Sequence, residues 1–251
     1  MILGIDTETH RFRRGYMSPR LVVTSVAAPA QYRSDLDALM RDVATGAGEH
    51  RIHPPDEASD AYLLDRFASK FAWRLLIDAG VDMVFHNASF DLRVLMNEVP
   101  HYTRKTQDHM EAGHVWCTQI REKLAANAKG RLKVQVNPFT GKPGIANYKL
   151  STLVMRYLDV DIRESKKAGS ARLLYDQLDG VPFADWPASA IEYAKDDAIY
   201  PLSVAFEQER SYPTEIAGFD TRAVAPEHYT PEERRTSPDV NGSHLFRFTD
   251  E

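Results

Sequence analysis

The chain has 251 residues, 43% hydrophobic and 27% charged, with a formal net charge of −5 at pH 7. That balance suits a soluble enzyme with a full core, one large domain with appendages. A single cysteine, Cys117, excludes an internal disulfide and any cysteine-based zinc cluster, and no apolar stretch approaches a membrane span.

Met1-Ile2-Leu3-Gly4-Ile5 is a short apolar run ended by polar residues, so it reads as a buried strand that leaves no room for a signal peptide. It leads into a first acidic motif, Ile5-Asp6-Thr7-Glu8-Thr9. Residues two apart on a strand point to one face, so Asp6 and Glu8 present both carboxylates to one point. Such an oxygen clamp suits magnesium or manganese. Leu21–Ala27 reads as a second strand, paired with the first. Residues 30–60 are mixed and polar, with Arg51-Ile52-His53 as a short third strand. Residues 61–79 carry helical periodicity through Leu64, Phe67, Phe71 and Leu75.

A β-leaning run over residues 81–86 then meets the second motif, His86-Asn87-Ala88-Ser89-Phe90-Asp91. The apolar spacing of Phe90, Val94 and Leu95 makes the next segment helical, which puts Asp91 at a helix start facing the same end of the sheet as Asp6. Residues 115–118 read as a later strand, with Cys117 as buried filler, and residues 120–127 as a helix. Alternation over Lys133-Val134-Gln135-Val136 followed by turn residues predicts a hairpin inserted at residues 130–148. Leu150–Leu158 and residues 170–178 read as helices, with a break at Gly180 and Pro182. Over residues 187–208, Ile191, Ala194, Ala198, Leu202 and Ala205 recur at helical spacing. That helix carries the third motif, Tyr193-Ala194-Lys195-Asp196-Asp197, with Tyr193 and Asp197 one turn apart on one face. Strands alternating with helices make the fold α/β. Residues 211–251, rich in Pro, Thr, Glu and Arg, read as an extended tail or linker with Leu245-Phe246-Arg247-Phe248 as a docking segment.

Each motif alone arises by chance; their conjunction in order, spacing and element type reads as a two-metal phosphodiesterase site. The net charge looks wrong for a nucleic-acid enzyme. Yet four acids would be metal ligands, and the basic residues are grouped: Arg11, Arg13 and Arg14; Arg131, Lys133, Lys142 and Lys149; Arg163, Lys166, Lys167 and Arg172. These groups are candidate phosphate contacts.

On these residues the chain resembles the DEDD 3′–5′ exonucleases, and within them the proofreading exonuclease domain of family-A DNA polymerases. Asp6 with Glu8, Asn87 through Asp91, and Tyr193 with Asp197 carry the resemblance. A Tyr four residues before the last Asp, with Glu192 five before it, is similar to the tyrosine branch. The likeness continues in Tyr148-Lys149-Leu150-Ser151-Thr152-Leu153 and in Tyr175-Asp176-Gln177-Leu178-Asp179-Gly180-Val181-Pro182.

The resemblance implies a ribonuclease H-like mixed sheet flanked by helices over residues 1–210. It implies two divalent cations, Mg2+ or Mn2+, held by Asp6, Glu8, Asp91 and Asp197, with Tyr193 orienting the attacking water beside Glu8. Thr7, Thr9, Phe12, Asn87 and Phe90 would contact the substrate, although Phe12 replaces a commoner aliphatic residue. The implied activity is hydrolysis of single-stranded or frayed DNA 3′ ends to nucleoside 5′-monophosphates, in proofreading or DNA replication. It would take place in the cytoplasm of a bacterial or phage-infected cell, away from membranes. The enzyme would be free-standing beside a separate DNA polymerase, or part of a longer polymerase chain. Two alternatives stay open: an RNA 3′-end exonuclease similar to RNase D, and an inactive exonuclease-like scaffold or binding module.

Overall fold

The computed structural model describes residues 1–11, 18–55, 60–163 and 174–211. The apolar run and first acidic motif together form β1 (Ile2–Thr9), antiparallel to β2 (Leu21–Ala27) with Asp6 opposite Ser25 and Glu8 opposite Val23. Every residue of β2 is buried, as in a strand covered on both faces. The polar stretch that follows holds a helix its composition hid, α1 (Arg33–Ala47), whose buried Leu36, Met40, Val43 and Ala47 recur at helical spacing. The short third strand is β3 (Ile52–His53).

Residues 61–79 are not one helix. Ala61–Asp65 is a strand, β4, antiparallel to both β2 and β3, and only then does α2 (Arg66–Asp78) begin. Asp65 sets that boundary, because its Oδ1 accepts from the backbone N–H groups of Phe67 and Ala68 and so caps the helix. Leu64 fitted the helical spacing by accident, since periodicity alone cannot separate a short buried strand from a buried helical turn.

Among the described residues the remaining strands and α-helices are β5 (Asp82–Phe85), α3 (Ala88–Glu98), α4 (Thr103–Glu111), β6 (Val115–Cys117), α5 (Thr118–Ala128), the hairpin β7 (Val134–Val136) and β8 (Pro143–Ile145), α6 (Leu150–Leu158), α7 (Tyr175–Leu178) and α8 (Ala188–Ser211). The helix expected over residues 170–178 is seen only as the four residues of α7; residues 170–173 lie outside those described. So do residues 212–251 of the expected tail, and Arg13, Arg14, Lys166, Lys167 and Arg172 of the basic groups.

Among the described residues six strands form one sheet in the order β3-β4-β2-β1-β5-β6, with β5 parallel to β1 and to β6 and the other neighbours antiparallel. Helices cover both faces. Leu3 and Ile5 of β1 enter a core with Leu36, Met40, Trp73, Leu92 and Leu95 from α1, α2 and α3. Ile2, on the other face, packs with Ala198, Leu202 and Ala205 of α8.

Gly4 shares the face of Asp6 and Glu8 by the strand's period of two. A Cβ there would lie 2.9 Å from Leu202 Cβ and closer still to the Ala198 carbonyl oxygen. Backbone cannot yield as a flexible side chain can, so the missing Cβ is what lets α8 lie directly on β1. Gly4→Ala should cost about 1–3 kcal/mol by overpacking, and in the same variant Mg2+ should raise the melting temperature less than in the parent. Matched thermal melts with and without Mg2+ check this; identical melts for parent and variant would refute the contact.

Candidate active site

Two elements supply the three acids that meet. β1 contributes Asp6 and Glu8, beside an irregularity in its pairing with β2 between Glu8 and Thr9, a device that re-aims side chains at the end of a strand. α8 contributes Asp197, one turn after Tyr193, and the Gly4 contact holds that turn over the strand. One carboxylate oxygen from each of Asp6, Glu8 and Asp197 lies within 4.8 Å of the other two. Oxygens around one Mg2+ at 2.0–2.1 Å are at most about 4.2 Å apart, so small side-chain rotations close the set on a single cation. The donors are all carboxylate oxygens, the set that hard divalent cations prefer. Glu8 and Asp197 are both buried. Clustering acids away from water is costly unless a cation compensates them.

Asp91 joins from the opposite side of the sheet. In the first turn of α3 it is buried, and its Oδ1 accepts from the Thr7 backbone N–H at 3.2 Å and from Thr7 Oγ1 at 2.6 Å. Thr7, between Asp6 and Glu8 on the strand, points to the other face and ties α3 to the acid pair. Burial pushes the Asp91 carboxyl up to about 7; the Thr7 bonds oppose the rise and the Asp197 charge adds to it.

Tyr193 is buried and its ring packs at 54° on Tyr175, centroids 6.3 Å apart. Tyr175 is fully buried, and its hydroxyl donates to the Ala190 carbonyl at 2.8 Å, within the first turn of α8. Burial, reinforced by the charge of Glu8 and Asp197, holds the Tyr175 phenol well above its ordinary pKa, so it stays a neutral donor. The segment after β1 is fastened to the segment after α7. His10 Nε2 lies 2.8 Å and an Arg20 guanidinium nitrogen 3.0 Å from Asp179 Oδ2.

The structure therefore brings together Asp6, Glu8 and Asp197, with Asp91 linked through Thr7 and Tyr193 on the same helix face as Asp197. Among the expected substrate contacts, Thr7 has its hydroxyl committed to Asp91. Thr9 Oγ1 donates to the His10 carbonyl at 3.0 Å. Asn87 is exposed just ahead of α3, its Oδ1 accepting from Ser89 Oγ at 3.2 Å, and Phe90 packs against the core. Phe12 lies outside the described residues. Cys117 is mostly buried, its thiol donating to the His86 carbonyl at 3.2 Å and pushed up in pKa by burial. Sequence reasoning missed Gly4 and Tyr175 as residues that build the site. Nothing local marks Gly4, whereas Tyr175 stood inside a stretch already singled out.

A mixed six-stranded sheet flanked by helices, with acids gathered at β1 and α8, is the ribonuclease H-like α/β arrangement of an exonuclease domain. Residues 2–207 match the 3′–5′ exonuclease family, and the chain belongs to it, a DEDD exonuclease resembling the proofreading domain of family-A polymerases. No curated protein matches the chain. Membership makes it an exonuclease hydrolase of a metal-dependent family acting on nucleic acid. No helix among the described residues is long and apolar enough to cross a membrane.

The Asp91 carboxyl ionises near pH 4 in an unfolded chain but near 7 in the fold. Folding thus favours its protonated form, an advantage that is full below about pH 4 and lost as pH rises through 7. In EDTA, Asp91→Asn should gain stability relative to the parent as pH rises from 4 to 8, on the order of 2 kcal/mol or more at about 1.4 kcal/mol per pKa unit. Paired denaturant melts across that range check it; a gap that does not vary with pH would contradict the assignment.

Proposed function

We propose that this protein removes nucleotides one at a time from single-stranded or frayed DNA 3′ ends, releasing nucleoside 5′-monophosphates, as a proofreading activity in DNA replication. The observation that carries the reading is the convergence of Asp6, Glu8 and Asp197 from β1 and α8 within one coordination distance, in a chain of the 3′–5′ exonuclease family. Residues 1–210 form the catalytic domain, with the hairpin as an insertion and residues 211–251 as a tail. It works in the cytoplasm of a bacterial or phage-infected cell, free-standing beside a separate DNA polymerase or within a longer polymerase chain.

Asp6, Glu8 and Asp197 would hold one Mg2+ or Mn2+, and Asp6 with Asp91 a second. Divalent cations held there would supply the acidity of an attacking water and the neutralisation of charge on the departing 3′ oxygen. Asp91 has Oδ1 fixed by Thr7, so Oδ2 is the atom it offers. Tyr193 and Glu8 orient the water: the phenol contributes direction, and the buried Tyr175 ring limits how far it can turn. Attack on phosphorus breaks its bond to the 3′ oxygen of the preceding nucleotide, which leaves as a hydroxyl once protonated. Thr9, Phe12, Asn87 and Phe90 are proposed to hold the terminal nucleotide.

Purified protein incubated with matched 5′-labelled DNA and RNA oligonucleotides should shorten the DNA stepwise with Mg2+ or Mn2+ and not with EDTA. Asp6→Ala and Asp197→Ala should each lower the rate by more than about 100-fold, from loss of a metal ligand, while keeping the fold. Faster shortening of RNA would transfer the reading to an RNase D-like enzyme, and no shortening of either would favour a scaffold. Tyr193→Phe should cost less, on the order of 10–100-fold in kcat, since the metal already lowers the water pKa.

A further inference from the structure

The β7–β8 hairpin has no part in the site described above. Between residues 131 and 149 the chain carries Arg131, Lys133, Lys142 and Lys149 and no acid, in a protein of net charge −5. All four side chains are exposed, and among the described residues none forms an ion pair. The pairing sets Val134 opposite Ile145, and with Val136 they make an aliphatic face exposed to 57, 60 and 93% at Val134, Val136 and Ile145. Leu132 extends it at 41%.

A lone two-stranded hairpin is marginal in water, and this one is clamped to the catalytic domain. Arg156 donates to Gln135 Oε1 at 2.6 Å and forms an ion pair with the buried Glu122. Glu122 also accepts from the Tyr157 hydroxyl at 2.5 Å and from Gln208 Nε2 at 3.3 Å. Gln135 Nε2 donates to the Tyr148 hydroxyl, which donates to the Leu132 carbonyl at 2.7 Å. The tip is held as well, with the Arg163 guanidinium 3.9 Å from the centre of the Phe139 ring. The polar face of the hairpin is thereby fastened to α5, α6 and α8, the helix that carries Asp197, and the aliphatic face is turned outward.

Fixed positive charge with no acid among it calls for a polyanion, and aliphatic side chains between the cations give bases a surface to lie on. We propose that this hairpin is a second contact for the nucleic-acid strand, gripping phosphates of nucleotides behind the reacting 3′ end. The proposal rests on the reading of the protein as an exonuclease on single strands. Its contribution is independent of sequence and sensitive to salt.

The test compares the parent with Arg131→Ala/Lys133→Ala/Lys142→Ala in binding a fluorescein-labelled 20-nucleotide single-stranded DNA in EDTA, by anisotropy across a salt series. The triple variant should bind about tenfold more weakly at low salt, and its slope of log K against log salt should shrink by about 2, at roughly 0.7 per phosphate contact. Val134→Ser/Val136→Ser should weaken binding with the slope retained, and melting temperatures confirm that both variants fold. With Mg2+, the ratio of kcat/KM for the 20-mer to that for a trinucleotide should fall about tenfold in the triple variant. Unchanged affinity and slope would overturn the proposal and leave the face to a protein partner. So would an equal loss on the trinucleotide, which would place the effect at the catalytic acids. Should the parent cleave nothing, the catalytic reading fails, while binding in EDTA still decides the hairpin.

Discussion

The close approach of α8 to β1 is the constraint on which the rest of this molecule depends. Acids from a strand at one end of the sequence and a helix near the other lie close enough for one cation to reach all three. A helix packed on a sheet through ordinary side chains stands too far off. At Gly4 there is no side chain, and Ala190, Ala194 and Ala198 keep the facing helix thin. The backbone carbonyl of Ala198 sits where any Cβ would go, so the distance between the Asp6–Glu8 pair and Asp197 is set by contact between main chains. The geometry of the acid cluster and core packing are here one feature.

The second organising force is electrostatic. Burying acids close together would drive the elements apart in the absence of cations, and the fold opposes this with fixed donors and packed rings. Thr7 commits both its N–H and its hydroxyl to Asp91, and Tyr175 locks the first turn of α8 through Ala190. The raised Asp91 carboxyl is the residual stress of that arrangement. Such stress favours divalent cations, because binding them relieves both desolvation and repulsion.

A second polar centre, around the buried Glu122, does different work. Arg156, Tyr157 and Gln208 converge on it from α6 and α8. Its chain of bonds passes through Gln135 to the hairpin, so an arm that buries little apolar surface is held in register with the helix bearing Asp197. In the proposed strand contact, a hairpin attached in this way extends the nucleic-acid track without disturbing the acids.

Much of this was legible in order along the chain. The acid pair on β1, the Asn-to-Asp motif entering α3 and the Tyr-to-Asp turn of α8 followed from periods of two and 3.6 residues, which are local properties of backbone geometry. Leu21–Ala27 and Leu150–Leu158 were fixed by their own apolar patterns. The sequence also determined the donor chemistry, because carboxylate oxygens are the ligands hard divalent cations prefer wherever packing brings them together. Tertiary structure decided the rest. That Ala61–Asp65 is a strand depends on its pairing with β2 and β3, and α1 was masked by polar residues on its solvent face. The need for glycine at position 4 depends on an Ala198 carbonyl nearly two hundred residues away. Spacing specifies which way a side chain points; only packing specifies what it meets.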